Sequence, residues 1–215
     1  MKKLLFIAIS ILSLNLFSAK AQDDTKAKNI LNSLSADIKS YALIKIDFTS
    51  KIENKTNNTN ESKDGSIWLK GEKYRLEISG QTVICDGKTV WTYIKEANEV
   101  QINSVQPDED AITNPIKLLN TWEKNFKPKL IKEGLEGGKT IQTIDLTPIK
   151  SKPYHKVRLK IDKNKKEIVK STVYDKNGST FSYIIKTFVT TQTVNNSFFS
   201  FKATDFPGAE INDMR

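Results

Sequence analysis

Reactive side chains are scarce in these 215 residues, which hold one cysteine, Cys85, and one histidine, His155. A single cysteine excludes an intrachain disulfide. A nucleophilic or redox thiol needs a neighbouring base, and the only histidine lies 70 residues away in sequence. Cys85 therefore reads as a small buried hydrophobe on a strand, and His155, alone on a lysine-rich stretch, as a surface or structural histidine. The HExxH, GxSxG, P-loop, CxxC and glycine-rich nucleotide signatures are all missing. Asp108, Glu109 and Asp110 crowd beside Pro107 as a solvated turn, and no ligand set recurs at strand or helix spacing. The expectation is a protein that is not an enzyme and holds neither metal nor cofactor.

Long apolar runs are also absent. The longest, Leu4 to Phe17, has about 14 residues, where a relaxed bilayer span needs roughly 20. It follows Lys2 and Lys3 and precedes Ala19-Lys20-Ala21, so residues 1–21 read as a cleaved signal peptide. Gln22 rather than a cysteine follows the expected cut, so no lipid anchor is expected and the protein should be exported and soluble. The remaining 194 residues (215 − 21) suit one domain with room for a sizeable core or an internal cavity. Acidic excess is missing too. Removing Lys2, Lys3 and Lys20 leaves a net charge of (34 − 3) − 25 = +6. The lysines scatter over turns and wet strand positions, as at Lys150, Lys152, Lys156, Lys160, Lys163, Lys165 and Lys166. They read as a solubilising surface with mild attraction to anionic lipid. Nucleic acid is not an expected partner of an exported chain.

What is present is periodicity. Ile30, Leu31, Leu34, Ile38 and Tyr41 fall at helical spacing and predict an amphipathic helix over 23–41. From Leu43 the period becomes two, with Ile44, Ile46 and Phe48 alternating with Lys45, Asp47 and Thr49. A polar loop is expected at 54–64. Short strands follow at 66–70, 73–78, 82–85, 88–94 and 100–105, joined by Gly, Asn and Asp turns. Residues 107–126 break the rhythm as a helical insert, with Asn114-Pro115 marking a helix start. Strands resume at 129–133, 140–147, 155–162, 168–175 and 180–189, and an apolar tail runs from Phe198 to Gly208. Ten or eleven strands with so little helix predict one curved antiparallel sheet, an incomplete β-barrel with helices over its concave mouth.

Three stretches carry a resemblance. Asp86-Gly87-Lys88-Thr89-Val90-Trp91-Thr92-Tyr93 is a tight turn feeding an aromatic strand. Gly65-Ser66-Ile67-Trp68-Leu69-Lys70 and the terminal Phe201, Pro207-Gly208, Ile211-Asn212-Asp213 accompany it. Together they resemble the periplasmic outer-membrane lipoprotein carriers of the LolA type. The resemblance implies an unclosed β-barrel with an α-helical lid around a hydrophobic cavity for lipoprotein acyl chains. It also implies a monomeric carrier in the periplasm that takes lipoproteins from an inner-membrane ABC transporter to the outer membrane, where well-studied branches use a receptor of the same fold. Concave faces lined by apolar side chains suit acyl chains in any case. The expected cavity lining is Ile46, Phe48, Tyr74, Leu76, Trp91 and Tyr93, and the expected lid residues are Ile116, Leu118, Leu119 and Trp122. In the family's lid-locking stretch this chain places Lys70 where the arginine stands and Gly71 where the proline stands, so Lys70 or Arg75 is the expected lock. A carrier of another apolar ligand and a lipoprotein-sensing regulatory module are the alternatives.

Overall fold

The computed structural model describes residues 23–105 and 115–215; the expected signal peptide lies outside them. Helix α1 spans residues 23–40. It buries Ala27, Leu31, Leu34 and Ile38, an i, i+4, i+7, i+11 stripe. A second helix, α2 (Pro115–Asn125), opens on proline, whose fixed φ and missing N–H suit a first turn.

All the strands join one sheet. In chain order they are β1 (Ile44–Asn54), β2 (Thr59–Lys70), β3 (Lys73–Ile78), β4 (Gln81–Cys85), β5 (Thr89–Ile94), β6 (Glu99–Ser104), β7 (Phe126–Glu136), β8 (Lys139–Pro148), β9 (Tyr154–Asp162), β10 (Glu167–Asp175), β11 (Ser179–Val189) and β12 (Glu210–Asp213). Across the sheet the order is β12-β6-β5-β4-β3-β2-β1-β11-β10-β9-β8-β7, so the curved sheet is unclosed, with β12 and β7 at its edges. Within β1–β6 and within β7–β11 successive strands pair antiparallel through short connections, while β1 pairs with β11 and welds the two meanders together. Gly87 closes the β4–β5 hairpin at φ 98°, a conformation that costs a residue without Cβ little.

Connectivity explains where α2 lies. β6 is the penultimate strand at one edge and β7 is the opposite edge, and α2 leads directly into β7. Its apolar side, Leu118, Leu119 and Trp122, is buried and joins the stripe of α1 in one cluster with Ile46, Phe48, Ile144 and Leu159 of the sheet. The inner, concave face is therefore apolar and covered by both helices.

Two expectations are corrected. The polar segment 54–64 is not a loop: β2 begins at Thr59, and β1 and β2 stay paired from Ile44↔Leu69 out to Asn54↔Thr59. The outer half of β2 is exposed, so it carries no apolar alternation by which to recognise it, while the β1 arm beside it is flanked by β11 and ends on the buried Asn54. β12 was also missing from the expected strands. It pairs parallel with β6, from Glu210↔Glu99 to Asp213↔Ile102, and is short and mostly exposed.

Candidate functional site: the helix-covered inner face

Strand alternation sorts the side chains of β1–β5 onto two faces. Ile46, Ile67 and Leu76 are cross-strand neighbours, and so are Ile44, Leu69 and Tyr74. All point to the inner face, where Tyr74, Leu76, Tyr183 and Ile185 pack half-buried against the central cluster. Phe48 lies over its cross-strand partner Gly65: a Cβ built on that glycine would sit 2.9 Å from Phe48 Cζ and 2.8 Å from the Glu77 carbonyl oxygen. The Phe48 ring also meets Tyr183 edge-on at 5.6 Å between centroids. Burial pushes the Tyr183 phenol up, so it stays neutral. This wall offers dispersion and almost no charge.

Four of the six expected lining residues, Ile46, Phe48, Tyr74 and Leu76, lie on this face together with Leu118, Leu119 and Trp122. The Ile116 side chain lies outside the described residues. Trp91 and Tyr93 do not join them. Trp91 sits opposite Ile84, which sits opposite Arg75 and then Trp68, a row that faces away from the helices. There the chain between β11 and β12 forms a strap. Trp91 stacks on Phe201 at 5.9 Å, Tyr93 meets Phe206 at 4.6 Å, and Trp68 meets Phe198 at 5.2 Å. The strap also buries Phe199 completely, and Ile84 and Val100 are buried outside the central cluster. The outer face of β4–β6 is thus covered, and an alternating strand with large apolar residues at both parities, as Val90 and Ile94 against Trp91 and Tyr93 in β5, cannot declare which face is inner.

The expected lock residues stand on that same outer face. Lys70 Nζ donates to Asn196 Oδ1 at 2.8 Å. Arg75 Nε donates to Glu77 Oε1 at 2.9 Å, while its guanidinium lies 4.8 Å from the Phe198 ring centroid. Each holds the strap. Because Leu69 and Tyr74 point inward, Lys70 and Arg75 must point outward.

The openings along the described residues include three beside the sheet. One, a groove of about 520 Å³, is open and lined by polar residues together with Phe48, Ile78 and Tyr93. Its acids are already engaged: Asp47 accepts from Ser66 and Thr187, Asp64 from Thr49, and Glu77 from Arg75. The other two flank α1. One, about 350 Å³, runs between α1 and β8–β9, with Ile30, Leu34 and Ile161 in its walls. The second is a slit of about 20 Å³ between α1 and β1, β10 and β11, lined by Ile38, Ile46, Ile168, Ile185 and Phe188. Lys166 borders both.

No group of three or more His, Cys, Asp or Glu among the described residues could hold a metal. His155 contacts only the Tyr174 ring among the described contacts, at 6.0 Å, and the buried Cys85 sulfur accepts from the Gly87 N–H. No described helix is long and apolar enough to cross a membrane.

An unclosed sheet, antiparallel except for β12, whose apolar inner face is roofed by two helices defines a class of lidded half-barrel scaffolds. This chain belongs to the family of the outer membrane lipoprotein carrier protein LolA, whose profile matches residues 39–202. No curated protein matches its sequence. Among solved structures it is similar to an uncharacterised conserved protein from Thermus thermophilus, at 11% identity and TM-score 0.60, over 87% of this chain and 99% of that one. It is also similar to a DUF1329 family protein from Desulfovibrio piger, at 9% identity and TM-score 0.52, over 86% and 99%. A putative outer membrane lipoprotein-sorting protein domain from Vibrio parahaemolyticus aligns at 11% identity and TM-score 0.50, over 83% and 97%. At such identities the likeness concerns the fold.

Proposed function

We propose that this protein is a periplasmic carrier that holds the acyl chains of lipoproteins against the inner face and shuttles them from the inner to the outer membrane. The observation that carries the reading is the roof. Leu31, Leu34, Leu118, Leu119 and Trp122 pack on the sheet as apolar side chains, and neither helix belongs to a β-ladder. Helix α2 is tied at its C-terminal end, where it runs into β7 and the Asn125 carbonyl accepts from the Ile149 N–H at 2.8 Å, so the helices can lift about such ends while every β-ladder stays intact. Acyl chains can then replace the helices as the apolar partner of Ile46, Phe48, Tyr74, Leu76 and Tyr183. At about 25 cal/mol per Å² of apolar area, the exchange trades one burial for another and stays reversible. A carrier that must also unload needs such near balance. Family membership supports the reading, and so does an inner wall without a charged anchor. The source of cargo would be an inner-membrane ABC transporter and the destination the outer membrane, with or without a receptor there.

The test is a release assay. Mature protein, residues 22–215, is added to spheroplasts of its host, and the soluble fraction is probed for lipoproteins bound to it. A stoichiometric soluble complex is the expected result. No released lipoprotein, with another lipid found bound by mass spectrometry, would replace the cargo and leave the fold reading intact.

A further inference from the structure

We infer that the corner of the molecule carrying the β7–β8 and β9–β10 turns docks on an anionic lipid bilayer and presents the α1 cleft to it. Leu135, one residue before the β7–β8 turn, is 79% exposed, the highest value among the large described hydrophobics. It pairs with Thr140, and the Thr140 carbonyl accepts from the Lys163 N–H at 2.9 Å, so the two turns are joined side by side. Two residues back from Leu135, Glu133 pairs with Gln142. Gln142 lines the cleft of about 350 Å³ under α1 together with Ile161, Lys163 and Lys166. The exposed leucine, the lysines and the apolar cleft therefore share one rim.

Charge on this rim favours an anionic partner. Lys132, Lys139, Lys163, Lys165 and Lys166 are all exposed. Of its carboxylates, Glu136 accepts from Lys160 and is paired with Lys132, Glu133 accepts from Lys163 and Gln142, Asp162 caps the backbone of Asn164 and Lys165, and Glu167 stands beside Lys166. Lys139, Lys165 and Lys166 stand outside these ion pairs and keep the rim's charge positive. Lys166, which borders both openings beside α1, sits in a left-handed turn conformation at φ 54°. Lysines near a surface of anionic headgroups each add attraction, and a lone aliphatic side chain at the tip inserts at the headgroup boundary. β7 itself is unsuited to pairing with another strand: it carries Pro128, a bulge between Leu130 and Lys132, and exposed lysines. A lipid surface asks for none of its edge hydrogen bonds. Docked so, the cleft between α1 and β8–β9 opens toward the membrane from which an acyl chain would enter or leave.

The opposite end of the same strands supplies the control. It carries Lys150, Lys152 and Lys176 with Ile149 51% exposed, and neither α1 opening is lined by residues of that end. Mature protein is floated with vesicles of phosphatidylcholine alone or mixed with phosphatidylglycerol. Neither contains lipoprotein, so the outcome is independent of the cargo reading. Binding to the anionic vesicles, weakened by salt and absent with phosphatidylcholine, is expected. The variant Leu135→Asp/Lys163→Glu/Lys166→Glu should bind on the order of tenfold or more weaker. Lys150→Glu/Lys152→Glu/Lys176→Glu should bind nearly as the parent does. Circular dichroism verifies folding, and Leu135→Asp alone, at a wet position, keeps the test valid if the triple variant unfolds. Absence of binding by the parent protein, or equal loss in both triple variants, would overturn the proposal.

Discussion

At the scale of single residues, two positions decide how the sheet is knitted. Gly65 gives up its side chain so that Phe48 can cover it; an added Cβ would collide with the Phe48 ring and with the Glu77 carbonyl. Gly65→Ala should therefore cost about 1–3 kcal/mol by forcing both to shift, read as a lower urea midpoint. An unchanged midpoint would mean that the ring moves freely. Asp47 ties β1 to both neighbours, accepting from Ser66 Oγ at 2.6 Å and from Thr187 Oγ1 at 2.6 Å, and these hydrogen bonds hold its carboxyl below the usual range. Asp145 is also lowered: burial pulls it upward, but the two Arg158 hydrogen bonds and that charge outweigh it. A carboxylate lowered in the folded state stabilises above its unfolded pKa and loses that contribution as pH falls through the folded pKa. Stability should thus be flat from pH 7 to about 4.5 and decline from about pH 4 toward pH 2, where Glu136, held at about 2 by Lys160 and Lys132, is among the last to protonate. Asp47→Asn should lower the urea midpoint at pH 7 and flatten the decline below pH 4; an unchanged acid limb would leave Asp47 without a part in acid unfolding.

Elements tell a less even story of what could be seen beforehand. Helix α1 and most of the core strands were legible because each buries one face, so the period of the apolar residues reports the geometry directly. The outer half of the β1–β2 hairpin was not legible, since residues 59–64 extend into solvent and pair through hydrogen bonds and polar side chains such as Thr49 and Asp64. β12 is polar, short and parallel, and its partner is far away in sequence. The strap was hardest to read. Its phenylalanines were visible as an apolar tail, yet nothing in their spacing says that they cap Trp68, Trp91 and Tyr93 on the outer face. The strap holds Trp91 and Tyr93, and with them Lys70 and Arg75, on the outer face and not on the helix-covered one where the expected cavity lies. The strap separates stability from cargo in a testable way. Trp91→Ala, which removes the stack on Phe201, should cost about 2 kcal/mol and leave lipoprotein release intact where the variant is folded. Loss of release by folded Trp91→Ala would return that residue to the cargo site. Lys70→Ala should change stability by less than about 1 kcal/mol, as suits an exposed polar pair, with release unaltered.

The whole molecule is one sheet used on two sides. The strap covers the outer face of β2–β6 and forms a second small core there, while the inner face is closed by helices that no ladder secures. Carrier function requires that only the inner cover be exchangeable. Under the proposed function, folding and unloading would draw on different contacts, and substitutions should sort by face rather than by distance along the chain. The most direct measurement places a photo-crosslinking amino acid at Tyr74 or Tyr183 on the inner face and, separately, at Trp91 or Tyr93 under the strap. Each variant is given to spheroplasts and irradiated. Lipoprotein adducts are expected from positions 74 and 183 and none from 91 and 93. Adducts from 91 and 93 alone would contradict the inner-face assignment and move the cargo to the other side of the sheet.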